Sequence, residues 1–135
     1  MLLLTAVVCV GMQSTSEEIV FRRYLLPRLA VRQGPLLALL LTTAMFTVVP
    51  VGSGGWGGLG VMLMGIALGL SAWRTGWLMP AVGLHVANNL FRFLYDPHGT
   101  NADAGPLDVA LSAGSLALWW AWVEFGVSRA ARAAR

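Results

Sequence analysis

The chain has 135 residues, 57% of them hydrophobic and 11% charged, with a mean hydropathy of +0.71. A soluble domain of this size carries more charge, so the composition points to an integral membrane protein with room for about four or five spanning helices. The net charge of +3 rests on nine arginines in short juxtamembrane clusters, which excludes the basic stripe that a nucleic-acid-binding face requires.

Five apolar segments follow in order. The first, 1–12, is too short to span and lacks the basic start and cleavage site of a signal peptide. It reads as the outer half of a helix that runs through Glu17 to about residue 26, where Pro27 weakens it. Cys9 in this stretch reads as a small buried hydrophobe. The second segment is 35–51, with Pro35 suited to a first helical turn. The third, 56–73, is glycine-rich. Gly54 and Gly58, and Gly65 and Gly69, are four apart, a spacing that lets helices approach closely in lipid. That serves packing within one bundle or, less simply, a homo-oligomer interface. The fourth and fifth segments are 76–95 and 107–127. No alternating pattern of a membrane barrel is present, so the expected class is all-α, a polytopic transmembrane helical bundle forming a single domain over 1–135.

The arginines order these segments. Arg22, Arg23, Arg28 and Arg32 lie between segments one and two, Arg74 between three and four, and Arg129, Arg132 and Arg135 at the end of the chain. Alternating spans put all three groups on one side, and the positive-inside rule makes that side, with the C-terminus, cytoplasmic. Tyr24, Trp73, Trp77 and Trp122 fall near the inner boundary, Trp56 and Tyr95 near the outer one. Arg92 lies about a turn from the outer end of segment four, where it can snorkel.

Ionisable groups inside a membrane are expensive and mark function by default. In "STSEEIVFRRYL", Glu18 and Arg22 are four apart and share a helix face. Glu17 lies about 100° further round. One acid can therefore pair with Arg22 while the other faces a cavity as a general base for water. The competing reading is local: Ser14-x-x-Glu17 as a capping box, and Glu18 with Arg22 as a surface pair. In "MPAVGLHVANNLFRF", His85 and Asn89 share a face. They can present an imidazole and an amide to a polarised carbonyl oxygen, or form an interhelical hydrogen bond. Asn88 points elsewhere, to packing or capping. A metal centre is weakly supported, because three protein ligands are usual and His98 lies on the other side of the bilayer. No cofactor is called for.

Glu17-Glu18-x-x-x-Arg22, followed some sixty residues later by "RTGWLMPAVGLHVANNL", resembles the CAAX protease and bacteriocin-processing (CPBP, or Abi) family. The resemblance runs from about Ser14 to Phe93. It implies a glutamate-dependent, metal-independent intramembrane endopeptidase in a bacterial plasma membrane. The implied substrate is a membrane-associated peptide or protein, prenylated or bacteriocin-like. Glu17 would activate water, Glu18 and Arg22 would hold the site, and His85 and Asn89 would stabilise the oxyanion. Two departures stand out. The family's Phe-x-x-x-His motif keeps Phe46 but has Pro50 at the histidine position, with Thr43 or Thr47 as weak substitutes. The family also carries spanning helices before the glutamate motif, which implies either an N-terminal portion ahead of Met1 or a misassigned start. Pro50 sustains an alternative, a catalytically impaired scaffold or immunity protein.

Overall fold

The structure, a computed structural model, describes residues 2–48, 55–95 and 105–133. Pro50, His98 and most of the two uncharged or acidic connections lie outside the described residues. The apolar start and the glutamate pair form one helix, α1 (Leu2–Glu18). It continues through a π-helical segment (Ile19–Leu25) into α2 (Leu26–Gln33). Pro27 does not break this run, which corrects the expectation from sequence. Proline lacks an N–H and crowds the turn before it. The backbone widens there: the Leu26 N–H bonds the Phe21 carbonyl, an i→i−5 bond. Membrane helices absorb prolines through such local adjustments.

Gly34, at φ 82°, ends α2, and Pro35 opens α3 (Pro35–Val48). The bundle is completed by α4 (Gly55–Thr75), α5 (Met79–Tyr95) and α6 (Pro106–Ala133). Between α4 and α5 the chain turns at Gly76, φ 69°. The Thr75 hydroxyl donates to the Ser71 carbonyl at 2.7 Å and accepts the Trp77 N–H at 3.2 Å, which pins that turn.

Paired contacts give the direction of each helix. Glu18 meets His85 and Ser14 meets Asn89, so α1 and α5 are antiparallel. Gly65 faces Thr43 and Phe46, and Gly69 faces Leu39, so α3 and α4 are antiparallel. Ser71 bonds Trp119 and Arg74 pairs with Glu124, so α4 and α6 run in parallel. The order alternates along the chain, and α4 sits centrally, packed against α3, α5 and α6.

Polarity is inverted relative to a soluble bundle. Leu4, Val8, Met12, Leu36, Val48, Leu118 and Trp122 are exposed, whereas Ser14, Glu18, Arg22, Thr42, Thr43, Ser71 and His85 are buried. Lipid favours this arrangement, because apolar surface costs nothing there and polar groups must find partners inside. Helix α4 has 21 residues and contains an 18-residue stretch with a mean hydropathy of 1.5, the length and composition of a membrane span, and α3 is a shorter apolar helix. Cys9 is exposed rather than buried; it lies on the outward face of α1, where lipid solvates a thiol as readily as a core does.

The glycines at 65 and 69 serve packing within the chain. A Cβ at Gly65 would lie 3.1 Å from Thr43 Cγ2 and 3.3 Å from Phe46 Cδ1, and one at Gly69 would meet Leu39 Cδ1. Gly65→Val is therefore expected to destabilise the bundle by about 1–3 kcal/mol through overpacking, read as a lower midpoint of thermal unfolding in detergent. Gly60→Val, with nothing within 4 Å of its Cβ position, should change the midpoint little.

Candidate active site

Ser14, Glu18, Arg22 and Leu26 recur every four residues and all are buried. On a regular α-helix such a stripe drifts about 40° per step, so Leu26 would lie about 120° from Ser14. The wider π-helical turns take back this drift and keep the stripe on the face that meets the rest of the bundle. Local backbone geometry thus delivers a carboxylate and a guanidinium into the interior. Such π-helical turns are frequent at functional sites.

Glu18 has no exposed surface. Its Oε1 bonds His85 Nδ1 at 2.9 Å, and its Oε2 lies 3.5 Å from Arg22 Nε. Arg22 also donates from Nη2 to the Gly65 carbonyl at 3.0 Å. Its guanidinium lies 4.8 Å from the centre of the Phe46 ring, a cation–π contact that suits a desolvated arginine. Phe46 makes edge-on contacts with Phe21 at 5.6 Å and with the His85 ring at 5.4 Å. The phenylalanine of the truncated motif is thus a platform shared by Arg22 and His85.

The neighbouring Glu17 is placed differently. Its side chain is 28% exposed, its Oε1 accepts from Gln13 Nε2 at 3.0 Å, and its Oε2 lies 3.7 Å from His85 Nε2. The imidazole therefore stands between two carboxylates, bonded to the buried one and adjacent to the accessible one. Asn89 donates from Nδ2 to the fully buried Ser14 hydroxyl at 3.2 Å. Its Oδ1 faces Asn88 Nδ2 at 3.4 Å, so Asn88 meets Asn89 rather than turning away from it.

The structure brings together Glu17, Glu18, Arg22, His85 and Asn89, and it corrects several local readings. Ser14 does not cap a helix start: α1 runs from Leu2 through Glu18 without interruption, and Ser14 is a buried acceptor for Asn89. The Glu18–Arg22 pair is not a surface pair, since both side chains are fully enclosed. Arg22 is buried rather than level with Arg74. It sits at the level of Gly65, nine residues and roughly 13 Å along α4 from Arg74, which puts the glutamates at the depth of His85. Thr47 donates to the Thr43 carbonyl at 2.8 Å, within its own helix. Ser14, Gln13 and the Gly65 carbonyl were not found by sequence reasoning. The period-four repeat of Ser14, Glu18 and Arg22 was the signal for the first of them. Among the described residues, no group of three or more His, Cys, Asp or Glu side chains is arranged to hold a metal ion.

Burial divides the two glutamates. Removing Glu18 leaves the Arg22 charge enclosed without its partner, so Glu18→Ala should cost about 3–5 kcal/mol of stability. Glu17→Gln, at a half-exposed position, should alter the thermal midpoint little. Parallel unfolding curves of the two variants check this, and equal losses would contradict the assignment.

Comparison with known proteins supplies the family. The family model described as type II CAAX prenyl endopeptidase Rce1-like matches residues 1–91, a span that holds all five of these side chains. No curated protein and no solved structure matches the chain. The matched span is more than half of the chain, so the protein belongs to the Rce1-like type II CAAX prenyl endopeptidase family, a membrane-embedded group of the CAAX protease and bacteriocin-processing proteins.

Proposed function

We propose that the protein is an intramembrane endopeptidase that hydrolyses a peptide bond of a membrane-associated substrate with water activated by Glu17. The observation that carries this reading is the His85 ring, held by buried Glu18 at one nitrogen and facing accessible Glu17 with the other. If Nδ1–H donates to Glu18, the neutral ring leaves Nε2 as an acceptor. Glu17 Oε2 is an acceptor too. Two acceptors 3.7 Å apart do not bond each other, but one water can donate a proton to each. Such a water keeps its lone pairs free to attack a carbonyl carbon.

In this reading Glu17 takes the water's proton as the new C–O bond forms and passes it to the leaving amine as the C–N bond breaks. Asn89 donates one amide hydrogen to Ser14, and its second is available for the oxyanion. The structure thus favours His85 as the group that orients the water, with the oxyanion falling to Asn89. Glu18, Arg22 and Phe46 hold His85 in place. No metal enters the scheme. The family's name supplies the substrate class, a prenylated C-terminal segment; a bacteriocin-like peptide is the other membrane-associated candidate. The arginine-bearing end, where Arg74 meets Glu124 near the end of α6, faces the cytoplasm in this proposal, with the C-terminus inside.

The test is cleavage of prenylated and unmodified membrane peptides by purified protein in liposomes, with chelator throughout. Wild type should cleave. Glu17→Gln should lose about 10²- to 10⁴-fold in rate while remaining folded. Cleavage that survives in Glu17→Gln would refute the mechanism. Absence of cleavage by wild type and by Pro50→His alike would favour a binding or immunity role for the fold.

A further inference from the structure

Among the described residues, four buried side-chain atoms have no hydrogen-bond partner: Glu18 Oε2, Arg22 Nε, Arg22 Nη1 and Thr43 Oγ1. The first two face each other at 3.5 Å. The other two are a buried donor and a buried hydroxyl. Gly65 adjoins both residues: its carbonyl accepts Arg22 Nη2, and a Cβ there would lie 3.1 Å from the Thr43 Cγ2 methyl. Phe46 connects them again, one turn from Thr43 on α3, with the Arg22 guanidinium over its ring.

Thr43 behaves unlike its neighbours. Thr15, Thr42, Thr47 and Thr75 each donate their hydroxyl to a backbone carbonyl four residues earlier, the default for a threonine inside a membrane helix. The Thr43 hydroxyl forgoes that bond although it is only 3% exposed. A buried hydroxyl without a partner costs stability, and buried polar groups of this kind are commonly completed by an internal water making about three hydrogen bonds.

We propose that Thr43 and Arg22 form an internal water site, in which one bound water joins Thr43 Oγ1 to Arg22 Nη1 and so gives that guanidinium nitrogen the acceptor it lacks. Thr43 is then a positioning residue. It acts through Arg22 on Glu18 and does not substitute for the motif histidine at the glutamates themselves. The inference concerns the same site as the proposed peptidase, but the water site exists whether or not the protein cleaves peptides. Its test therefore reads stability and bound water, and fails independently of the enzymatic reading.

Thr43→Val keeps the shape and removes the hydroxyl. If the hydroxyl is a true orphan, valine leaves the thermal midpoint in detergent unchanged or raises it. If the hydroxyl holds a water against Arg22, valine lowers the midpoint by about 4 °C, and Thr43→Ser restores most of the loss. A midpoint for Thr43→Val at or above wild type overturns the proposal. A second readout covers the case in which the valine variant does not fold. With arginine labelled by nitrogen-15, the wild-type Arg22 guanidinium should show cross-relaxation to a long-lived water, assigned by its loss in Arg22→Lys. An Arg22 signal without that cross-peak overturns the proposal as well.

Discussion

Glu18 is a carboxylate with no exposed surface in an apolar bundle, and the arrangement of the rest follows from satisfying it. An isolated charge in such a place is prohibitively costly, so it must be paired and hydrogen-bonded. Arg22 supplies the opposite charge from one turn later on the same helical run, and His85 supplies a donor from α5. Arg22 in turn needs acceptors and finds the Gly65 carbonyl on α4 and the Phe46 ring on α3. A single ion pair thereby reaches four parts of the bundle. The absence of a side chain at Gly65 allows α3 to close over it, and the π-helical segment keeps glutamate and arginine facing inward.

This framework explains why two adjacent acids differ. A helix separates neighbouring residues by about 100°, so only one of Glu17 and Glu18 can enter the buried network. The other is left at the edge, steadied by Gln13 and next to the free side of the imidazole. Structural demand and chemical availability are thus divided between consecutive residues by helical geometry alone. The histidine joins them, because one ring nitrogen is committed to the framework and the other faces the accessible acid.

Much of this was legible in the residues. Segment order, helical class and alternation followed from apolar lengths and arginine clusters. The four-residue spacings of Glu18 with Arg22 and of His85 with Asn89 gave the shared faces. What escaped the sequence was depth and context. Arginine beside arginine reads as a membrane boundary, yet Arg22 is buried because Glu18 precedes it by one turn, while Arg23 is exposed. Ser14 three residues before Glu17 fits a capping box, and only the uninterrupted helix before it shows otherwise. Pro27 signals a break, but the widened turn that absorbs it depends on tertiary packing. The Arg74–Glu124 pair, at 2.7 Å, joins residues fifty apart, and no local pattern announces it.

The most direct measurement is the protonation state of the two ring nitrogens of His85, read by nitrogen-15 resonance in a His98→Asn background that leaves one histidine. The account predicts a protonated, hydrogen-bonded Nδ1 whose signal shifts in Glu18→Gln, with an unprotonated Nε2. A proton on Nε2 with a bare Nδ1, or a ring unaffected by Glu18→Gln, would contradict it.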